Sequence, residues 1–139
     1  MNPPPANSPV FSLPQATAIY AGQVKFMSSL WNWLQAAALA SAGAAYAVGD
    51  THGRDVAIAL LVGFIAYASI NLALMLRAQY VTFRTAKAIQ AYLSESPDRV
   101  DKAFREVATM FGVAHPVWAA LLHLGIDGAV VWIILRFMF

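Results

Sequence analysis

The sequence predicts an all-α integral membrane protein with three transmembrane helices and an amphipathic cytoplasmic helical hairpin between the second and the third. Three observations lead there. Hydrophobic residues make up 60% of the 139 and charged residues only 12%, whereas about a quarter of the residues in soluble domains are charged. Apolar runs over 31–48, 56–76 and 117–135 are close to the roughly twenty residues that a helix needs to cross a hydrocarbon core. Finally, Arg77, Arg84, Lys87, Arg99, Lys102 and Arg105 all fall between the second and third runs, and such a bias fixes membrane orientation. A chain this short makes a single membrane domain, 1–139, without room for a separate catalytic module.

The amino-terminal stretch 1–14 contains Pro3, Pro4, Pro5 and Pro9, which lack the N–H a helix interior needs. It reads as a flexible tail, and it lacks the basic start of a secretory signal. Residues 15–30 are moderately apolar with Lys25 embedded, the pattern of an interfacial helix leading into the first span. That span, 31–48, has no charge, and from Ala36 to Ala47 only Leu39 and Tyr46 are large. Ala37, Ser41, Gly43 and Ala44 suit close helix approach, so this helix is expected to be enclosed by other helices or other copies. The polar turn Gly49, Asp50, Thr51, His52, Gly53, Arg54, Asp55 closes a helical hairpin.

The second span, 56–76, carries Gly63, Tyr67 and Asn71 at intervals of four on one face. An amide in hydrocarbon requires a hydrogen-bond partner, so Asn71 is expected to find one on a neighbouring helix. Beyond the span, Val81, Ala88, Ile89, Tyr92 and Leu93 extend the helical pattern. Ser94 to Pro97 interrupt it, and Ser96 followed by Pro97 is a cap and first-residue signal for another helix. In that helix Asp98 and Asp101 fall in the first turn, and Val100, Phe104, Val107 and Phe111 form one stripe that ends by Gly112. The resulting cytoplasmic hairpin, 77–113, either buries its two stripes against each other or the lipid interface, or serves as a docking element.

The third span, 117–135, follows Pro116, which suits the first helical position. It holds His123 and Asp127 one turn apart, while Gly125 and Ala129 make a small-xxx-small seam on nearly the opposite side. Ionisable groups within an apolar span are functional candidates by default. The pair is expected at about mid-depth, with Asn71 as its nearest partner. It serves either to tie helices together or as part of a proton or ion path with Asn71 and Tyr67, because histidine is the side chain whose unperturbed titration lies near neutral pH.

The basic loop, with six positive charges against Arg54 alone in the hairpin turn, predicts a cytoplasmic amino terminus and an external carboxyl terminus in a bacterial cytoplasmic (inner) membrane, and Arg136 near the external end argues mildly against it. Trp31, Trp33 and Trp118 then mark the cytoplasmic interface, and Trp132 lies nearer the other face. With no cysteine, thiolate chemistry is excluded. His115 is eight residues from His123, about 12 Å along a helix, so no metal site is expected, nor any cofactor. No nucleotide-binding or hydrolase motif is present, and a net charge of +2 is no nucleic-acid footprint. The sequence therefore points to a non-enzymatic membrane subunit that assembles with itself or a larger membrane complex. The alternative is a homo-oligomeric channel or pore with its path through Asn71, His123 and Asp127.

Overall fold

A computed structural model describes residues 12–48, 53–95, 101–109 and 115–138. The regular structure among them is entirely helical: α1 Leu13–Val48, α2 Gly53–Glu95, α3 Lys102–Thr109 and α4 Pro116–Met138. No proline interrupts the 43 residues of α2, so it runs straight through the end of the apolar segment, for a length of roughly 65 Å. At the head of α4, His115 acts as the cap. Its carbonyl accepts from the Trp118 N–H at 2.9 Å and its Nδ1 from the Val117 N–H at 3.4 Å, with Pro116 in the first helical position where no N–H is needed.

The chain runs up, down and up. Leu30 of α1 meets Asn71 of α2, and Met27 meets Thr82, so α1 and α2 are antiparallel. Trp31 of α1 lies against His123, and Tyr46 against Phe137, so α4 runs alongside α1 in the same direction. Positions that are buried or half-buried follow a repeat of alternating threes and fours. On α1 one such run is Ala16, Tyr20, Gln23, Met27, Leu30, Leu34, Ala37 and Ser41, with the buried Ala38 and Ala45 beside it; on α2 it is Phe64, Ala68, Asn71, Met75, Ala78, Thr82, Thr85, Ile89 and Tyr92, with the buried Ala57, Gln79, Ala86 and Leu93 beside it. A period of 3.5 keeps one seam of each helix facing its neighbour, as in left-handed helix pairs.

Two cores lie along this seam. One collects Ala38, Ala45, Ala57, Phe64, Ala68, Val130 and Ile134 from α1, α2 and α4. The other, at the far end of α2, collects Ala16, Ile89, Leu93 and Ala108, with Leu13, Tyr20, Tyr92 and Phe104 packed around them.

The second core corrects three expectations. Residues 15–30 do not form a separate helix, and the helical chain already includes Leu13 and Pro14 of the expected tail. They are the first half of α1, held there because the extension of α2 beyond Leu76 presents a buried seam, Ala78, Thr82, Ala86, Ile89 and Leu93, that α1 matches in register. Of the alternatives for 77–113, mutual burial of the two helices holds in part: the α2 extension pairs chiefly with α1. The short α3 adds Phe104 and Ala108 at one end. Val107 is 53% exposed, so it does not share a buried stripe with Phe104. Val100 and Phe111 lie outside the described residues, as do 1–11, 49–52 and 96–100.

Among the described residues, two stretches are long and apolar enough to cross a membrane, Asp55–Glu95 and Pro116–Phe137. The first expected span, 31–48, is not one of them, because alanine, serine and glycine with Asn32 and Gln35 dilute its apolarity. It is nonetheless packed along both α2 and α4.

Candidate polar site between three helices

The 3.5-residue seam brings Asn71 to the point where α1, α2 and α4 meet. Its Nδ2 donates to the Leu30 carbonyl of α1 at 3.3 Å and to the Tyr67 hydroxyl one turn earlier, also at 3.3 Å. Its Oδ1 lies 3.1 Å from His123 Nε2. On the other side of the ring, His123 Nδ1 lies 2.7 Å from Asp127 Oδ2, the i to i+4 spacing that puts two side chains on one helix face. The His123 side chain is fully buried, and the Trp31 ring packs against it with centroids 6.1 Å apart.

The polarity of these bonds determines where the protons sit. A backbone carbonyl only accepts, so Leu30 fixes which end of the Asn71 amide is the donor. Oδ1 therefore faces the imidazole, and Nε2 must carry a hydrogen to donate to it. At 2.7 Å, Nδ1 and Oδ2 must in turn share one proton, since two lone pairs so close would repel. The pair thus holds a single proton between its two atoms whichever of them it is bonded to, and its net charge is zero. Such a neutral pair is far less costly in an apolar setting than a lone carboxylate. The second carboxylate oxygen, Oδ1 of Asp127, is buried and has no partner among the described residues.

The cluster extends from near one end of the apolar runs to about their middle. Asn71 lies five residues before Leu76 and His123 seven after Pro116, so both sit about 8–10 Å in from that end. Leu30 and Trp31, at the head of the first apolar run, are at the same level. Tyr67, nine residues before Leu76, and Asp127, eleven after Pro116, lie deeper, about 14–16 Å in from that end. Trp33 and Trp118 are exposed at this same end.

The other residues singled out by sequence are distributed as follows. Ala37 and Ser41 line a cavity of about 220 Å³ with Gly63 and Tyr67, and Ala44 is half-buried. Gly43, Gly125 and Ala129 point outward. At Gly125, as at Gly43 and Gly63, an added Cβ would meet nothing within 4 Å. Sequence reasoning missed the Leu30 carbonyl and Trp31 as members of the cluster. A backbone carbonyl leaves no compositional trace; the seam through Leu30 and Leu34 was the available signal. His115 stacks edge-on against Phe83 at 5.5 Å, with the Lys87 ammonium 4.7 Å from that ring. Among the described residues no group of three or more potential metal ligands forms.

Chemically, the arrangement is a three-helix clamp with one proton-sharing pair. Asn71 does not pass a proton from one end of its amide to the other as a hydroxyl or water would, so the hydrogen-bonded line from Tyr67 to Asp127 is broken as a proton wire at its second member. No protein-family profile matches the chain, and neither a curated protein nor a solved structure matches it. The class that fold and cluster define is an all-helical bundle with two helices able to cross a membrane.

Proposed function

We propose that the chain is an integral membrane protein with three spans, 31–48, 56–76 and 117–135, and that it serves as a non-enzymatic subunit of a membrane assembly. The observation that carries this reading is the outward placement of its largest apolar side chains. Only 22% and 17% of the most apolar stretches of α2 and α4 are buried, whereas a core helix of a soluble protein is mostly buried. Val62, Ile70, Leu121, Leu122 and Trp132 all face outward, and an apolar surface this extensive requires lipid or protein against it.

The assembly part rests on small residues at the surface. Ala36, Ala40, Gly43 and Ala47 form an exposed line along α1, and Gly125, Gly128 and Ala129 an exposed patch on α4. Lipid gains little against such surfaces, whereas another helix approaches closely there. The basic extension of α2, its partner segment of α1 and α3 would lie on the cytoplasmic side and offer a docking element, with the amino terminus cytoplasmic. The polar cluster serves in this reading to lock the three helices in register. The interrupted hydrogen-bonded line and the full burial of His123 favour that role over a conducting path.

Because the chain has no cysteine, single substitutions give a clean topology test. Glu95→Cys is expected to react with an impermeant maleimide only from the cytoplasmic side and Asp50→Cys only from outside. Release of the protein from membranes by alkaline carbonate would overturn the membrane reading. A detergent-extracted native mass of a single chain with no partner would overturn the assembly reading.

A further inference from the structure

We infer that the α1–α2 seam, on the side left open by α4, is a binding groove for one anionic phospholipid of the cytoplasmic leaflet. This rests on the membrane-spanning reading above. Two cavities lie end to end along the seam. The first, about 350 Å³, is bounded by Gln23, Phe26, Leu74, Arg77 and Val81. The second, about 200 Å³, is bounded by Leu30, Trp33, Tyr67, Ile70, Asn71 and Leu74. Leu74 belongs to both, so the two adjoin at its side chain.

Their chemistry changes along the groove in the sense of a lipid. At one end Arg77 is the first residue after the apolar run of α2. It is exposed and makes no ion pair among the described residues, and the Gln23 amide stands across from it. A guanidinium is the natural bidentate partner of a phosphate, and no acidic side chain borders either cavity to compete for it. The other end is lined by leucine, isoleucine and aromatic side chains, with the Asn71 amide beside them. From Arg77 to Tyr67 is ten residues, about 15 Å along a helix, which equals one leaflet of a hydrocarbon core about 30 Å thick. A headgroup at Arg77 therefore leaves room for an acyl chain reaching down to Tyr67. Basic pockets between membrane helices on the cytoplasmic side are known to hold anionic headgroups. A free phosphate would use Arg77 and leave the apolar half empty, and a partner helix would have no use for a cation at the mouth.

The test is native mass spectrometry of the full chain, released from nanodiscs containing equal amounts of dioleoyl phosphatidylglycerol and dioleoyl phosphatidylcholine. One phosphatidylglycerol per chain is expected to stay bound, at least fivefold in excess of phosphatidylcholine. Arg77→Gln is expected to abolish that preference. Leu74→Trp, which fills the shared part of the groove from a partly exposed position, is expected to reduce retention of both lipids. Equal retention of the two lipids by the natural chain, or an unchanged preference in Arg77→Gln, overturns the inference, as does displacement of the lipid by 50-fold excess inorganic phosphate. Failure of the chain to enter nanodiscs at all overturns the membrane reading instead.

Discussion

The Asn71–His123 contact lends itself to a double-mutant cycle with a defined outcome. Asn71 makes three hydrogen bonds, to His123, the Leu30 carbonyl and the Tyr67 hydroxyl. Side-chain hydrogen bonds between membrane helices average about 0.6 kcal/mol and reach about 1.7, so the three together contribute about 2 kcal/mol. Asn71→Leu also leaves His123 Nε2–H buried without an acceptor, and an orphaned polar group costs about 1–3 kcal/mol. The single substitution is therefore expected to destabilise the bundle by about 3–5 kcal/mol. His123→Leu leaves Asn71 Oδ1 unpaired and is expected to fall in the same range. When both are replaced, neither orphan of that contact remains, so the double variant should be more stable than the sum of the singles predicts by about 1–2 kcal/mol. Reversible unfolding by sodium dodecyl sulfate in mixed micelles, followed by tryptophan fluorescence, measures all four corners of the cycle. Trp31 packs on the imidazole and reports directly on the junction. Additive effects, with a coupling below about 0.5 kcal/mol, would refute the clamp.

Three further outcomes are expected. Asp127→Asn retains a donor for Nδ1 of His123, so it should be tolerated within about 1 kcal/mol in the same titration, whereas Asp127→Leu removes the partner and should cost about 1–3 kcal/mol; a larger effect from the asparagine than from the leucine would contradict the shared proton. Ile89 is fully buried in the core shared with Ala16 and Leu93, so Ile89→Ala should weaken the extension by about 2–4 kcal/mol and speed amide hydrogen exchange in 13–30 and 80–95, with little change around Ala45 and Phe64. Gly125→Ile adds bulk where nothing obstructs it within the single chain, so it should leave the fold intact and lower the native mass of the detergent-extracted assembly; an unchanged mass would show that the α4 patch does not meet a copy.

Much of the helical layout was legible. Pro116 and the apolar run after it located the start of α4, and the continuation of the second apolar helix to near Leu93 is close to the observed end of α2 at Glu95. The extension of α1 back to Leu13 was harder to see, because Lys25 and scattered polar residues hide a seam whose members include Gln23 and Thr82. A seam built of polar and apolar residues alike does not stand out as an apolar stripe. Of the stripe through Val100, Phe104, Val107 and Phe111, only Phe104 and Val107 fall among the described residues; a short amphipathic helix has more than one inner edge, and the one used puts Phe104 and Ala108 inward and leaves Val107 out.

The sequence on its own determined the materials of the polar site: an imidazole and a carboxylate four residues apart, and an amide on another helix. Helical periodicity sufficed for that, because residues at i and i+4 meet whatever surrounds them. Only the tertiary structure decided which atoms meet. In helices that are apolar on most sides, the hydrophobic pattern does not single out a contacting face, and close packing of small residues along a 3.5-residue seam settles the register instead. That register brings the Leu30 carbonyl to Asn71; this bond fixes the orientation of the amide and, through it, the hydrogen on His123 Nε2 and the single proton shared with Asp127.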